Sequence, residues 1–230
     1  MSGEHTCVSC GTRFSLPASV AERYPGWVPP RCRDCHRPAE GGGAAQTGGR
    51  ADRTGGGGAK RARGRRGGAR EDNLTVAEVL ERYHGGPTDG VFTDGSAHPN
   101  RGPGGWGAVY VIDDTVVDEA WGHEPQTTNN RMELTALIAG FDLVPEGTPA
   151  TIYTDSRLAV DTITKWAPSW QRRGWRRKTG PVENVDLVRA LFERAQARPE
   201  VRLEWIAAHT GARWNEYADA LSTAYRRETR

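Results

Sequence analysis

Four acidic residues in the second half of the chain each lie within or beside an apolar segment. They are Asp94 in VFTDGSA, Glu133 in NNRMELTAL, Asp155 in TIYTDSRL and Asp219 in NEYADAL. A lone carboxylate is costly in apolar surroundings unless a partner compensates its charge. One shared divalent metal cluster would compensate all four. Because no His or Cys ligand set accompanies these carboxylates, Mg²⁺ or Mn²⁺ is favoured over zinc, which indicates phosphodiester chemistry.

The segments around the carboxylates predict an ordered series of strands and helices. GVFTDGSA, GGWGAVYVID and TVVDEAWGHE have the composition of three strands with short connections, which indicates an antiparallel meander. NNRMELTALIAGFDLV has helical periodicity and begins with an Asn pair that suits a helix cap. The elements predicted after it are the strand ATIYTDS, the helices RLAVDTITKW and VDLVRALFERAQAR, the strand VRLEWIAA and the helix NEYADALSTAYRRE. This order predicts an α/β fold, with helices packed on a mixed five-stranded sheet.

The predicted architecture brings the four carboxylates together. We expect Asp94 to end the first strand and Asp155 to end the fourth. Glu133 would lie in the first turn of the helix that follows the meander, and Asp219 near the start of the last helix. Because strand ends and helix starts converge at one edge of such a sheet, the four side chains are predicted to share one pocket.

Five motifs around these residues point to a known family. They are TDGSAHPNRGPGGWGA, TTNNRMEL, YTDSRLAV, WAPSWQRRGW and HTGARWNEYADAL. In their order and spacing, the motifs resemble type 1 ribonuclease H over residues 91–226. The resemblance implies a ribonuclease H-like fold. It also implies an endonuclease that hydrolyses the RNA strand of RNA–DNA hybrids and leaves 5′-phosphate and 3′-hydroxyl ends.

The resemblance assigns catalytic roles to the acidic residues and to one histidine. Two Mg²⁺ ions about 3.5–4 Å apart, for which Mn²⁺ can substitute, would bracket the scissile phosphate. Asp94 would bridge the ions, Glu133 and Asp155 would complete one each, and Asp219 would join the second more loosely. Glu133 would also order the 2′-hydroxyl beside the cut. His209 matches the family's mobile histidine, which assists water activation or product departure, although a loop histidine taken alone is more often inert surface.

Further residues match positions at which the family contacts its substrate. They are Asn100, Gln126, Thr128, Asn129, Asn130 and Asn215. The resemblance places Asn129 and Gln126 near bases, Thr128 on a phosphate of the DNA strand and Asn100 near the minor groove. Asn215 would position the last carboxylate loop. Taken as isolated residues, the Thr and Asn pair at 128–130 would simply cap a helix.

A basic, tryptophan-rich segment spans residues 165–178. It holds six cations within fourteen residues of an otherwise acidic region. Such a segment suits nucleic acid, because aromatic rings pack on sugars and guanidinium groups hold phosphates. The residues predicted to contact the hybrid are Trp166, Trp170, Arg172, Arg173, Trp175 and Arg176. The alternative is an amphipathic helix that buries its tryptophans, which we expect in part for Trp166.

All four cysteines lie in the first 35 residues, as the CxxC pairs Cys7 with Cys10 and Cys32 with Cys35. Two such pairs separated by about 20 residues match a tetrahedral structural Zn²⁺ site. Two disulfides are disfavoured in the cytosol, and a thioredoxin-like redox pair needs a βαβ context that is missing here. Residues 1–35 are therefore predicted to form a zinc-ribbon-like domain whose partner is an additional nucleic acid or a protein.

Residues 36–70 are rich in Gly and Arg and lack the apolar residues needed for a core. They are predicted to be a disordered linker to a ribonuclease H domain at 71–230, whose core spans 91–226. Arginines among glycines suit nucleic-acid contact without sequence preference, and a solubilising tether is an equal alternative. A short amphipathic helix is predicted at 74–83.

Composition limits the partners of the chain. The net charge of +2 divides into +1 for residues 1–35, +7 for 36–70 and −6 for 71–230. The basic charge that could meet a polyanion is thus concentrated in the linker and in the segment 165–178. No apolar run approaches the roughly 20 residues of a membrane span, and the first residues lack a signal-peptide pattern. We expect a cytoplasmic monomer with no membrane partner.

Other functions are associated with sheets of this type. Integrases, transposases and proofreading exonucleases share it, so the fold alone does not decide the function. Transposase-like enzymes use a carboxylate triad that ends in glutamate, whereas here Glu133 comes second and Asp219 last. A non-catalytic RNA–DNA hybrid-binding protein is the remaining alternative. Such a protein is expected to lack a metal ligand, and none is replaced here.

Overall fold

The computed structural model describes residues 4–7, 10–16, 28 and 73–228 of the chain. Near the N-terminus, strands β1 (Glu4–Thr6) and β2 (Arg13–Ser15) form an antiparallel hairpin. Cys7 is buried and Cys10 is exposed. The predicted zinc ligands Cys32 and Cys35 and the linker 36–70 lie outside the described residues, so the zinc ribbon and the linker stay predictions.

The predicted five-stranded mixed sheet is present in residues 73–228. The strands of this region are β3 (Gly90–Ala97), β4 (Gly102–Ile112), β5 (Thr115–Thr127), β6 (Ala150–Thr154), β7 (Arg176–Arg177), β8 (Gly180–Pro181) and β9 (Val201–Trp205). Strands β7 and β8 pair with each other, and the others form the sheet in the order β5, β4, β3, β6, β9. The meander of β3, β4 and β5 is antiparallel, whereas β6 runs parallel to both β3 and β9.

Helices surround this sheet. They are α1 (Val76–Arg82), α2 (Asn129–Leu143), α3 (Arg157–Asp161), α4 (Ala167–Arg172), α5 (Val185–Ala197), α6 (Arg213–Ser222) and α7 (Tyr225–Glu228). The helix predicted at 157–166 differs from the observed one, because a turn of π-helix at Thr162–Trp166 joins α3 to α4. Across the described ranges, none of the helices combines the length and the apolar composition that crossing a membrane requires.

The cap of α2 involves one of the three residues predicted at 128–130. Thr128, rather than the Asn pair, precedes the helix in an extended conformation, and its hydroxyl accepts a hydrogen bond from the Arg131 amide at 3.3 Å. Asn129 and Asn130 are the first two helical residues. The Thr hydroxyl satisfies an amide that has no partner within the helix, so the Asn side chains are not needed for capping.

The sheet has an apolar core on each face, because successive side chains of a strand point to opposite sides. Val91 and Ile152 belong to one cluster of buried side chains, together with Leu137 of α2. Phe92 belongs to the other, together with Tyr217 of α6. Helices α2 and α6 are therefore pressed onto opposite faces of the central strands, and the functional residues they carry approach the sheet from both sides.

The close approach of α2 to β3 depends on Gly95. A Cβ atom at this position would lie 2.2 Å from the backbone nitrogen of Glu133 and 2.2 Å from the carbonyl carbon of Met132. Atoms cannot approach this closely, so any larger residue would force the helix away from the strand. The missing side chain of Gly95 therefore lets Glu133 lie directly over β3.

A network around Arg213 attaches the segment before the sheet to the start of α6. The Arg213 guanidinium donates to the Tyr83 carbonyl at 2.6 Å, contacts His84 Nδ1 at 2.6 Å and forms an ion pair with Asp114. Trp214 Nε1 donates to the other carboxylate oxygen of Asp114 at 2.8 Å. These contacts fix the first turn of α6 to the turn between β4 and β5.

Candidate active site

Three of the predicted carboxylates meet in one cavity. Asp94, Glu133 and Asp155 each contribute an oxygen, and these oxygens lie within 4.8 Å of one another. Asp219 and His209 line the same cavity, which has a volume of about 260 Å³. The structure thus brings together the five residues that the sequence singled out for chemistry.

The positions of these carboxylates within their elements differ from the expectation. Asp94 is the fifth of eight residues in β3 rather than the last, because β3 continues to pair with β4 as far as Ala97. Glu133 lies beyond the first turn of α2. Asp219 is the seventh of ten residues in α6, because this helix begins earlier than predicted, at Arg213. Asp155 directly follows the last residue of β6, close to its predicted place at the strand end.

Crowding of the carboxylates perturbs their ionisation. Burial raises the pKa of Glu133 well above its usual range, and the charges of Asp94 and Asp155 raise it further. Burial and the charge of Asp94 raise the pKa of Asp155 to about 7, against the opposing effect of His209. Like charges close together in a poorly solvated site disfavour ionisation. The cluster therefore favours any bound group that carries positive charge.

The ligand atoms of the cavity fit a hard divalent cation. Asp94, Glu133 and Asp155 offer oxygen only, which is the ligand that Mg²⁺ prefers in proteins. Glu133 Oε2 is buried and has no hydrogen-bond partner among the described residues. A buried polar atom without a partner is destabilising. A cation would satisfy this oxygen and relieve the repulsion among the three carboxylates.

His209 lies in the loop between β9 and α6 and is exposed at the rim of the cavity. Its backbone is left-handed, with φ 52°. Its Nδ1 lies 3.9 Å from Glu216 Oε2, and the other oxygen of Glu216 accepts the Gly211 amide at 3.2 Å. Glu216 is buried and thus holds the histidine loop from behind. Glu216 was not predicted as a site residue, although it lies between His209 and Asp219 in the motif HTGARWNEYADAL.

Three further residues of the site were also missed. Ser222 Oγ donates a hydrogen bond to Asp94 Oδ2, and Arg226 lines the cavity. Trp205 Nε1 donates to the backbone carbonyl of Asp155 at 3.0 Å. A helical serine usually bonds its own backbone, so nothing in the local sequence marks Ser222 as a partner of a residue on a distant strand.

A hydrogen-bonded rim borders the cavity on the side of α2. The Asn100 side-chain oxygen accepts the Asn129 amide at 3.1 Å, and Asn129 Oδ1 accepts the Ala97 amide at 2.5 Å. Gln126 Nε2 donates to the Arg101 carbonyl at 3.1 Å. These bonds hold the predicted substrate-contacting side chains in one orientation, and Asn100, Gln126 and Asn129 are exposed.

Asn215 has a different position from the other predicted substrate contacts. Only 3% of its surface is exposed, and its Oδ1 is buried without a partner among the described residues. Asn215 therefore lies behind the surface that a polymer could reach. This burial does not fit direct contact with substrate, and the role of Asn215 in positioning the last carboxylate stays a prediction.

A second, larger cavity of about 450 Å³ lies beside the segment 165–178. Among the residues that line it are Asn130, Trp166, Trp170, Arg173, Arg177 and Lys178. Arg172 and Arg176 are exposed but do not line this cavity. We call this cavity with its basic and aromatic walls the basic groove.

The tryptophans of the segment have different surroundings. Trp166, for which partial burial is predicted, is 39% exposed. Trp175 instead packs edge-on against Phe192 of the core, with ring centroids 5.9 Å apart. Trp170 is partly buried and packs against the same core cluster. Trp175 thus anchors the segment to the domain, because its large apolar surface is better buried, and Trp166 is the more available ring for a ligand.

Comparisons with known proteins place this site in a family. A family model described as RNase H matches residues 88–226. A ribonuclease H of Methylorubrum extorquens is 47% identical over 138 residues, which are 60% of this chain and 60% of that protein. A ribonuclease H of Granulibacter bethesdensis is 43% identical over 139 residues, which are 60% of this chain and 91% of that protein. Residues 1–87 precede the part that the family model matches.

The fold is also similar to that of solved structures. The PFV RNase H domain, solved in solution, superposes with a TM-score of 0.52 at 21% sequence identity. The superposition covers 60% of this chain and 94% of that domain. At this identity the similarity concerns the fold alone, and it agrees with the sheet order and helix placement described above.

The raised pKa of Asp155 predicts that, without divalent cations, stability declines as the pH rises. Below the usual pKa of 3.8, the Asp155 carboxyl is neutral in both the folded and the unfolded chain. Between this value and about 7, the unfolded chain releases the proton while the folded chain retains it, so the free energy of unfolding falls. Above about 7 no further change arises from this group.

Thermal unfolding in chelator, measured from pH 4 to pH 8, tests this effect. Asp155→Asn removes the ionisable group and keeps the shape of the side chain. We expect its melting temperature to rise relative to that of the unchanged protein as the pH increases through this range. Addition of Mg²⁺ at pH 8 should raise the melting temperature of the unchanged protein. A constant difference between the two proteins across the range would contradict the assignment.

Proposed function

Because the chain belongs to the RNase H family, we propose that it is a metal-dependent endoribonuclease that hydrolyses the RNA strand of RNA–DNA hybrids. It leaves 5′-phosphate and 3′-hydroxyl ends. The observation that carries this proposal is the meeting of Asp94, Glu133 and Asp155 within 4.8 Å, beside Asp219 and His209. A cluster of repelling carboxylates next to a basic groove suits the cleavage of a phosphodiester.

We propose that the carboxylate cavity holds two Mg²⁺ ions, for which Mn²⁺ can substitute. Ions held there would supply activation of the attacking water and stabilisation of the leaving oxygen. The family resemblance of the motif around Asp94 assigns it to both ions, and its carboxylate would share the cavity with Glu133 and Asp155, whose oxygens all lie within 4.8 Å of one another. Asp219 lines the cavity without belonging to the tight group of three, so it would bind more loosely. Glu133 would also hold the 2′-hydroxyl that distinguishes RNA from DNA.

His209 is proposed to move a proton at its imidazole ring. The ring lies at the rim of the cavity and more than half of the side chain is exposed, so both water and substrate can reach it. The buried carboxylate of Glu216 lies 3.9 Å from Nδ1, on the side of the ring that faces α6. A histidine suits this exchange because its proton is lost and regained near neutral pH.

The basic groove is proposed to hold the hybrid away from the cut. Exposed Trp166 would pack on sugars, while Arg173 and Lys178 would contact phosphates. Asn130 also lines the groove, whereas Asn129 lines the carboxylate cavity. These neighbours in α2 connect the two surfaces. A single hybrid could therefore contact the groove and the cavity together.

We further propose three regions: a zinc-ribbon-like domain at 1–35, a linker at 36–70 and a ribonuclease H domain at 71–230. The four cysteines would hold one structural Zn²⁺, and the ribbon would bind a second nucleic acid or a protein. A tethered second site would raise the effective concentration of the hybrid at the nuclease domain.

Substitution Asp94→Asn tests the cleavage mechanism. The amide cannot supply the negative charge on which both ions would depend, so we expect turnover to fall by at least about 100-fold, as for loss of electrostatic stabilisation of the transition state. Hybrid binding in chelator should persist, because the basic groove is unchanged. The measurement is cleavage of labelled RNA–DNA, RNA–RNA and DNA–DNA duplexes with Mg²⁺. Asp113→Asn, which changes an exposed carboxylate between β4 and β5, is the control.

The outcomes separate the two candidate functions. Metal-dependent cutting confined to the RNA of the hybrid, and lost in Asp94→Asn, supports the nuclease. Tight hybrid binding by the unchanged protein without any cutting would favour the non-catalytic hybrid-binding alternative. Full cleavage by Asp94→Asn would contradict the role of the carboxylate cluster.

Arg173→Ala tests the basic groove. Loss of one phosphate contact should weaken hybrid binding in chelator and reduce the slope of log affinity against log salt by about 1. Arg189→Ala is the matched control, because Arg189 is exposed on α5 and is paired with Glu193 at 2.9 Å. Fluorescence anisotropy across a salt series gives both slopes. Equal slopes for the two variants would argue against phosphate contact by Arg173.

The zinc proposal predicts one Zn²⁺ for each full-length chain. Structural zinc needs all four thiolates for its tetrahedral site, so Cys32→Ser should lower the zinc content and the affinity of the site. Elemental analysis of purified protein measures the ratio. Full-length protein that takes up no zinc under reducing conditions would refute the ribbon.

A further inference from the structure

Ser222, the last residue of α6, is fully buried and reaches across to β3. Its hydroxyl donates to Asp94 Oδ2, the residue that we propose as the central metal ligand. The same Oγ lies 3.1 Å from the Asp219 carbonyl and 3.4 Å from Ser96 Oγ. Ser222 thus contacts two of the four carboxylate residues, the side chain of Asp94 and the backbone of Asp219.

The single proton of the Ser222 hydroxyl has competing acceptors, and the carboxylate is the strongest of them. Hydrogen bonds to ionised acceptors are roughly twice as strong as those between neutral groups. The competing Asp219 carbonyl already accepts from the Thr223 hydroxyl at 2.9 Å and from the Thr223 amide at 3.0 Å. The proton of Ser222 is therefore directed to Asp94.

The strand beside β3 is shaped to admit this contact. Gly107 of β4 is directly paired with Asp94, and a Cβ atom there would lie 2.4 Å from Leu221 Cβ and 3.1 Å from the Ser222 nitrogen. At Gly105, two residues earlier, a Cβ atom would lie 2.2 Å from the Ser222 carbonyl oxygen. The end of α6 thus lies directly on the backbone of β4, which keeps the backbone of Ser222 beside Asp94.

We propose that Ser222 is a positioning residue that holds the Asp94 carboxylate in one orientation toward the metal cavity. The inference rests on the proposed metal-dependent function. Rotation about the last torsion of an aspartate is only weakly restricted by the side chain itself. A donor fixed by the packing of α6 restricts it. Removal of a residue that hydrogen-bonds a metal ligand typically lowers metal affinity or activity 10- to 100-fold.

Ser222→Ala tests the proposal, because it removes the hydroxyl and adds no atoms. Thr223→Val is the matched control. It removes a buried hydroxyl one residue along the chain, and that hydroxyl bonds backbone carbonyls of α6 but no carboxylate side chain. For the full-length protein and both variants, Mn²⁺ affinity is measured by calorimetric titration without nucleic acid. The Mg²⁺ concentration for half-maximal cleavage and hybrid binding in chelator are measured alongside it.

We expect Ser222→Ala to bind Mn²⁺ about 10-fold more weakly and to need correspondingly more Mg²⁺, with unchanged hybrid binding in chelator. Thr223→Val should retain the metal affinity of the unchanged protein. The proposal is overturned if Ser222→Ala binds Mn²⁺ normally, or if both variants lose affinity equally, which would indicate a general effect of the helix end. Failure of the unchanged protein to cleave hybrid would instead refute the proposed function, so the two failures are distinguishable.

Discussion

Repulsion among the carboxylates of Asp94, Glu133 and Asp155 is the constraint to which the rest of this structure responds. Their oxygens lie within 4.8 Å of one another in a poorly solvated cavity, and the pKa values of Glu133 and Asp155 are raised as a result. Left to themselves, the three side chains would separate. They stay together because the elements that carry them are packed on a common sheet, so apolar burial elsewhere opposes the repulsion here.

The packing that opposes the repulsion is tightest where the functional residues lie. Helix α2 reaches β3 because Gly95 lacks a side chain, and α6 reaches β4 at Gly107 for the same reason. The start of α6 is also fixed by the bonds of Arg213 to the Tyr83 carbonyl and to Asp114. An active site needs its groups held to within a fraction of an ångström. Helix α6 meets this need, because it is bonded to other segments at its start and packs on β4 near its end.

The sequence predicted the features that depend on residues close together in the chain, and it did not predict those that depend on residues far apart in the chain. The strands of the meander and the amphipathic helices follow from local periodicity, and the four carboxylates stand out because charge in an apolar segment is unusual. The prediction that Asp94 ends β3 was wrong, because the end of a strand depends on how far the neighbouring strand continues to pair with it. Ser222 and the core contact of Trp175 were missed because each depends on residues distant in the chain.

The charge of the domain explains why binding and cutting need separate surfaces. Residues 71–230 carry a net charge of −6, and the carboxylate cavity repels the phosphate that it must cleave. Some cations near the basic groove are already neutralised, since Lys165 pairs with Asp161 at 2.6 Å and Arg177 with Glu183 at 3.1 Å. Under the proposed function, attraction of a hybrid would therefore depend on the remaining exposed cations of the segment 165–178 and on divalent ions in the cavity. Metal ions held by these carboxylates would thus have an electrostatic role before any chemistry, because their positive charge would let the most repulsive part of the surface accept a phosphate.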